Sequence, residues 1–205
     1  MIFRDRFEAG ELLADRLKDF IDKDSVVVAL PRGGVPIAKA IANRYSIPMD
    51  IYFVKKIPSP YNQEAAIGAI SEDGYIFVDE RAKVMLNVAD EYIQEIANKK
   101  KEEIREKREI YQKEKIDLKD KNVFLVDDGI ATGASMLVAA KSIKEKGAKK
   151  VYIASPVAPK EVVSKLKEVA DEVILLQTPA DFMAVGQYYQ DFHQLDDEEV
   201  IGLLR

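Results

Sequence analysis

Two adjacent carboxylates, Asp127 and Asp128, follow the apolar run Val123-Phe124-Leu125-Val126 and precede the loop Gly129-Ile130-Ala131-Thr132-Gly133, which enters a helical stretch at Ala134 and Ser135. A buried strand that ends in a glycine-bearing loop at a helix start leaves backbone amides free to meet an anion. The helix dipole favours that anion by about 0.3 to 1 kcal/mol, and each charge-assisted hydrogen bond adds about 1.5 to 3 kcal/mol. Two carboxylates beside such a cradle would repel the ligand unless another part of it needs them. A magnesium ion would, and so would a pair of hydroxyls donating hydrogen bonds. A ligand with a phosphate at one end and a ribose diol in its middle satisfies both features. An N-capping Asp accounts for one carboxylate of the pair and leaves the other unexplained.

A second loop, Ala29-Leu30-Pro31-Arg32-Gly33-Gly34, also follows a β-branched apolar run and precedes a helical stretch. Arg32 offers a fork of donors to phosphate oxygens, and Gly33-Gly34 expose amides at the next helix start. Neither loop is a Walker motif, because no Gly-Lys-[Ser/Thr] follows, and no Gly-x-Gly-x-x-Gly fingerprint exists in the chain.

The elements that must position these loops alternate along the chain. Phe7, Leu12, Leu13, Leu17 and Phe20 recur at helical spacing behind a candidate cap, Asp5. Unalternating SVVVAL over 25–30 reads as a strand buried on both faces, followed by a helix over 35–45 and a short strand over 50–54. Residues 66–78 form a pair of strand-like runs about Glu72-Asp73-Gly74, which predicts a projecting hairpin. From Ala89 to Lys115 a thin apolar stripe, with Ile93, Ala97, Ile104 and Tyr111 among its members, predicts one long charged helix of about 40 Å. Lys100 and Lys107 interrupt the stripe, which argues for a docked helix over a coiled-coil seam. Strand 123–126, helix 134–146 closed by Gly147, strand 151–155, helix 160–170 and strand 172–176 then imply parallel pairing with right-handed crossovers. Periodicity fails after Thr178-Pro179, where an aromatic-rich tail begins.

Composition narrows the chemistry. With 205 residues, 47 % hydrophobic and 33 % charged, the expectation is one globular α/β domain with no membrane-spanning run and, lacking a secretory leader pattern, a cytoplasmic location. No cysteine and a single histidine exclude disulfides, thiol catalysis and zinc sites built from Cys or His clusters. A net charge of −5 argues against a nucleic-acid partner, and the lysines of 99–115 alternate with glutamates as on a wet helix. A receiver-like or phosphatase-like magnesium site would need an acid at the end of the first strand, where Pro31-Arg32 stands.

Together, the apolar strand, the acid pair and the loop ending Thr-Gly strongly resemble the phosphoribosyl-pyrophosphate motif of the type I phosphoribosyltransferases, and the stand-alone phosphoribosyltransferase-like proteins of microbes are closest in overall look. The resemblance spans roughly residues 25–180. It implies a parallel-sheet core with helices on both faces over about 25–177, a projecting flap hairpin, and a small variable hood made from 1–24 and 178–205. It implies transfer of a phosphoribosyl group from phosphoribosyl pyrophosphate to a nitrogen acceptor such as a nucleobase, with release of pyrophosphate. The alternative is a non-catalytic regulator that binds the same ligand or a nucleotide.

By the same resemblance, Asp127 and Asp128 hold the ribose hydroxyls, and Gly129, Ile130, Ala131, Thr132, Gly133, Ala134 and Ser135 wrap the 5-phosphate. Arg32, Gly33, Gly34, Lys55 and Lys56 meet pyrophosphate, with Arg32, Asp127 and Asp128 as the catalytic set. Mg²⁺ is implied as cofactor, held mainly by phosphoribosyl pyrophosphate and water with Asp127 and Asp128 nearby and no direct protein ligand. Residues 57–68 resemble the family's flap. Ala131 stands where hypoxanthine-guanine enzymes carry a general-base Asp, a departure that argues against a 6-oxopurine handled in that way. In the tail, Asp181 and Phe182 resemble the hood stretch that lines the acceptor pocket, Phe182 offering a ring on which a planar base stacks. The long exposed helix suggests a homodimer element.

Overall fold

The computed structural model describes residues 1–112 and 114–205. Five parallel strands form a central sheet in the order β2-β1-β6-β7-β8, made of β1 (Ser25–Ala29), β2 (Met49–Ile51), β6 (Asn122–Val126), β7 (Lys150–Val157) and β8 (Glu172–Gln177). In β1, β6 and β7 the unalternating apolar sequences are explained by burial on both faces. Val27, Ala29, Phe124, Val126, Tyr152 and Ala154 face one core, which they share with Leu13 and Leu17 of α1 (Arg6–Arg16) and its C-terminal turn and with Ile37 and Ile41 of α2 (Gly34–Tyr45). Val26, Val28, Val123, Leu125, Val151 and Ile153 face the other, packed by Met136, Ala139 and Ile143 of α5 (Ala134–Glu145) and Leu166 of α6 (Val163–Val169). Helices thus cover both faces of a parallel sheet, the α/β class read from the alternation.

Several expectations are corrected in detail. The strand expected over 50–54 is split: β2 ends at Ile51, and the chain leaves the central sheet to form β3 (Val54–Pro58). β3 pairs antiparallel with β4 (Ala66–Ser71), which pairs with β5 (Ile76–Val78), so the projecting hairpin has a third strand. Lys55 and Lys56 therefore sit on the flap sheet and not at the end of a central strand. A short helix, α3 (Glu80–Met85), follows, capped by Asp79.

The long helix α4 (Asp90–Tyr111) stops short of Lys115. Its buried stripe of Ile93, Ala97, Ile104 and Tyr111 docks on the fold, and Gln112 is already extended at φ −160°. Asp50 holds that exit, accepting from Gln112 Nε2 and from the Ile116 amide at 2.9 Å each. At the other end of the chain, the tail after Pro179 contains α7 (Asp197–Leu204), whose Asp196/Glu199 capping box is the sequence signal that marks its start. N-terminal and C-terminal segments meet in a parallel bridge between Phe3 and Tyr189, so the two expected hood segments lie together. The first helix is more than hood, since Leu13 and Leu17 are fully buried in the sheet core.

Candidate functional site

β1 and β6 are neighbours in register, Ala29 opposite Val126, and the strand order reverses between them. Crossover connections leave β1 toward β2 on one side and β6 toward β7 on the other. A crevice opens at the carboxyl edge of the sheet at such a switch point, and ligands bind there in open α/β folds. Both loops singled out from the sequence emerge at this place. They touch: a Cβ at Gly33 would run into the Asp128 carboxylate, so the close approach of the two loops requires glycine at 33. The Pro31–Arg32 peptide is cis.

Asp127 and Asp128 have different environments. The Asp128 carboxylate is largely buried and accepts from Arg6 Nε of α1 at 2.9 Å, while its carbonyl accepts from the Tyr189 hydroxyl at 2.6 Å. Asp127 Oδ1 accepts the Asp128 amide at 2.9 Å, and among the described residues no lysine or arginine pairs with Asp127. Burial, followed by the neighbouring charge of Asp128, pushes the Asp127 carboxyl well above the usual carboxylate range.

Two cavities flank the acid pair and share Asp127. The smaller, about 180 Å³, is walled by the whole 129–135 loop, with Lys56 and Val185 opposite. Gly133 takes the left-handed conformation at φ +83° and opens α5 without a side-chain cap of its own, leaving the first-turn amides beyond Ala134 available to an anion. The Thr132 hydroxyl accepts the Ala134 amide at 3.3 Å.

The larger cavity, about 480 Å³, is walled by Arg32, Gly33 and both acids on one side and by Arg6, Phe192 and Leu195 on the other. Arg32 Nη1 donates to the Leu195 carbonyl at 2.7 Å, and its Nε lies 4.0 Å from Asp197 of α7. Asp197 also accepts from the Tyr111 hydroxyl and from Lys107 at 3.1 Å, contacts that in that order hold its carboxyl below the usual range. Burial and the hydrogen bond to Asp197 push the Tyr111 hydroxyl up to about 12.

The structure thus brings Arg32, Gly33, Asp127, Asp128, Lys56 and the 129–135 loop to one crevice. Gly34 opens α2 directly behind it. Lys55, on the opposite side of β3, is turned toward Glu103 of α4 at 4.0 Å. Neither Asp181 nor Phe182 lines either cavity; the Phe182 ring is stacked on Tyr188 with centroids 5.7 Å apart. Phe192 lines the larger cavity instead, with the Arg6 guanidinium 4.1 Å above its ring. The lone His193 is exposed between Asp191 and Glu199 at 2.9 and 2.8 Å.

Sequence reasoning misses Arg6, Phe192, Leu195 and Asp197. Arg6 carries a signal nonetheless, because it shares the buried face of α1 with Ala9, Gly10 and Leu13, and a charge on an apolar stripe needs a partner.

The sequence model of the phosphoribosyl transferase domain matches residues 5–192. A Mycobacterium tuberculosis H37Rv protein, named provisionally as a phosphoribosyl transferase, is 38 % identical over 205 residues, covering 99 % of this chain and 46 % of that protein. The chain therefore spans about half the length of the curated relatives it matches. The crystal structure of TT1426 from Thermus thermophilus superposes with a TM-score of 0.85 at 40 % identity, covering 100 % of this chain and 98 % of that one. The purine phosphoribosyltransferase of Pyrococcus horikoshii shares the fold, with a TM-score of 0.52 at 18 % identity over 93 % of each chain.

Proposed function

The chain belongs to the phosphoribosyl transferase domain family, and from that premise we propose that it transfers the 5-phosphoribosyl group of phosphoribosyl pyrophosphate to a nitrogen acceptor, releasing pyrophosphate. The observation that carries this reading is the placement of two glycine-bearing loops, each at a helix start, on either side of one acid pair. A ligand with a phosphate at each end and a diol between has that sequence of charges. The 129–135 loop takes the 5-phosphate through its amides and the Thr132 and Ser135 hydroxyls. Asp127 and Asp128 accept from the ribose hydroxyls, and the 31–34 loop with Arg32 takes the pyrophosphate.

The reaction breaks the bond between ribose C1 and the pyrophosphate oxygen and forms one between C1 and the acceptor nitrogen. Positive charge grows on the sugar while negative charge grows on the leaving group. Arg32 and Lys56 stabilise the latter, and the acid pair eases the former. Arg32 Nη1 donates to the Leu195 carbonyl, and the guanidinium carries further N–H donors with which the fork meets the leaving group. The flap carrying Lys56 excludes water, which would otherwise take the acceptor's place.

The residues fit a magnesium ion held chiefly by the ligand. Asp127, which has no cationic partner among the described residues, stands beside the cavity where such an ion would lie. When bound there, the ion would neutralise charge on the diphosphate.

The acceptor is identified by measuring pyrophosphate release from phosphoribosyl pyrophosphate and Mg²⁺ across a panel of nucleobases and other nitrogen nucleophiles. Release dependent on one acceptor class, and lost in Arg32→Ala, supports transfer. Binding without release on any acceptor contradicts it.

A further inference from the structure

Resting on the function just proposed, we infer that Arg6 is a positioning residue that makes the pyrophosphate subsite tolerant of an anion by cancelling and pinning the Asp128 carboxylate. Asp128 stands against Gly33, inside the wall that the 31–34 loop presents to the larger cavity. A free carboxylate there would face any anion bound to the loop, and repulsion between unit charges is roughly fourfold stronger near a protein surface than in bulk water. Arg6 removes that obstacle. Its side chain is only 8 % exposed and its Nε lies 2.9 Å from Asp128 Oδ2. The guanidinium is itself immobilised, donating from Nη1 to the His193 carbonyl at 2.9 Å and lying 4.1 Å over the Phe192 ring.

The arrangement divides labour within the acid pair. Asp128 is tied to α1 through Arg6 and to the hood through Tyr189, so its orientation is fixed before any ligand arrives. Asp127 lines both cavities and has no such tie among the described residues. Arg6 acts through Asp128, and its removal should therefore matter only while that carboxylate remains.

The test is calorimetric titration of the purified protein with inorganic pyrophosphate in the presence of Mg²⁺. Arg6→Gln is expected to weaken pyrophosphate by about tenfold or more, with Arg6→Lys recovering most of the loss. Arg6→Gln combined with Asp128→Asn should bring pyrophosphate affinity back to within about threefold of wild type, because the carboxylate is gone. Pyrophosphate affinity unmoved by Arg6→Gln, or a double variant as weak as Arg6→Gln alone, would overturn the assignment. Should Arg6→Gln fail to fold with its buried carboxylate unpaired, Asp128→Asn compared with the double variant decides the matter: pyrophosphate affinity must no longer depend on Arg6. A wild-type protein that binds no phosphoribosyl pyrophosphate contradicts the proposed function itself, whereas wild-type binding unmoved by Arg6→Gln contradicts the role of Arg6 alone.

Discussion

Arg32 shows how one side chain can serve two partners. In the present structure its guanidinium caps the Leu195 carbonyl, yet it also lines the cavity beside the acid pair. Arg32→Ala should therefore weaken pyrophosphate by about 1.5 to 3 kcal/mol while leaving ribose 5-phosphate nearly unchanged. Titration of both fragments checks this, and equal losses would place Arg32 outside the leaving-group subsite. Most of the crevice is legible at this scale because its residues lie in two short contiguous segments whose chemistry is local: a strand end, an acid or guanidinium, glycines and a helix start. Arg6 is not, since its partner is 122 residues away and only the fold brings them together. Phe182 reads as acceptor pocket from its neighbours in sequence; its ring is stacked on Tyr188 and lines neither of the two cavities beside the acid pair.

Two elements invite measurement. The end of α4 is organised by a buried ion pair, Arg108 to Asp50 at 2.8 Å, with both side chains almost wholly buried and Asp50 also holding Gln112 and the Ile116 amide. Removing one partner leaves the other charge stranded. Arg108→Ala is expected to lower stability by about 3 to 5 kcal/mol, read as a shift in the urea midpoint. A loss under about 1 kcal/mol would mean that the pair does not organise the turn. The C-terminal helix α7 is tied to the hood through His193, whose imidazole is raised above its ordinary value of 6.5 first by Glu199 and then by Asp191. A raised folded-state pKa means that the protonated form binds these partners more tightly. The contribution is then fully present below pH 6.5 and is lost as pH rises through the folded-state value. The melting temperature should accordingly fall over that window in wild type and stay flatter in His193→Gln; parallel profiles would contradict the coupling. In the sequence α7 is obscured because its capping box, Asp196 and Glu199, is embedded in a run of four adjacent acids, Asp196 to Glu199, ahead of a short apolar stretch. The flap strand β3 is obscured for a different reason, because Tyr52 and Phe53 continue the apolar run of β2 without marking where the chain leaves one sheet for another.

Across the whole molecule, the central sheet places the chemistry. Strands that are buried on both faces read as continuous apolar runs, so their order of appearance and parallel sense follow from the sequence, whereas the switch point between β1 and β6 emerges only with the strand order. The hood is legible only as a region, because its structure depends on Phe3 meeting Tyr189 across the length of the chain. No helix among the described residues is long and apolar enough to cross a membrane. The molecule's two loops and one acid pair form a single ligand site only if they act together, and that is the central claim. It is tested most directly by calorimetric titration with phosphoribosyl pyrophosphate, with and without Mg²⁺, of wild type and of the Asp127→Asn, Asp128→Asn double variant, each shown folded by its melting profile. Magnesium-strengthened binding is expected in wild type and none in the variant; equal affinity in the two proteins would contradict a shared ligand site.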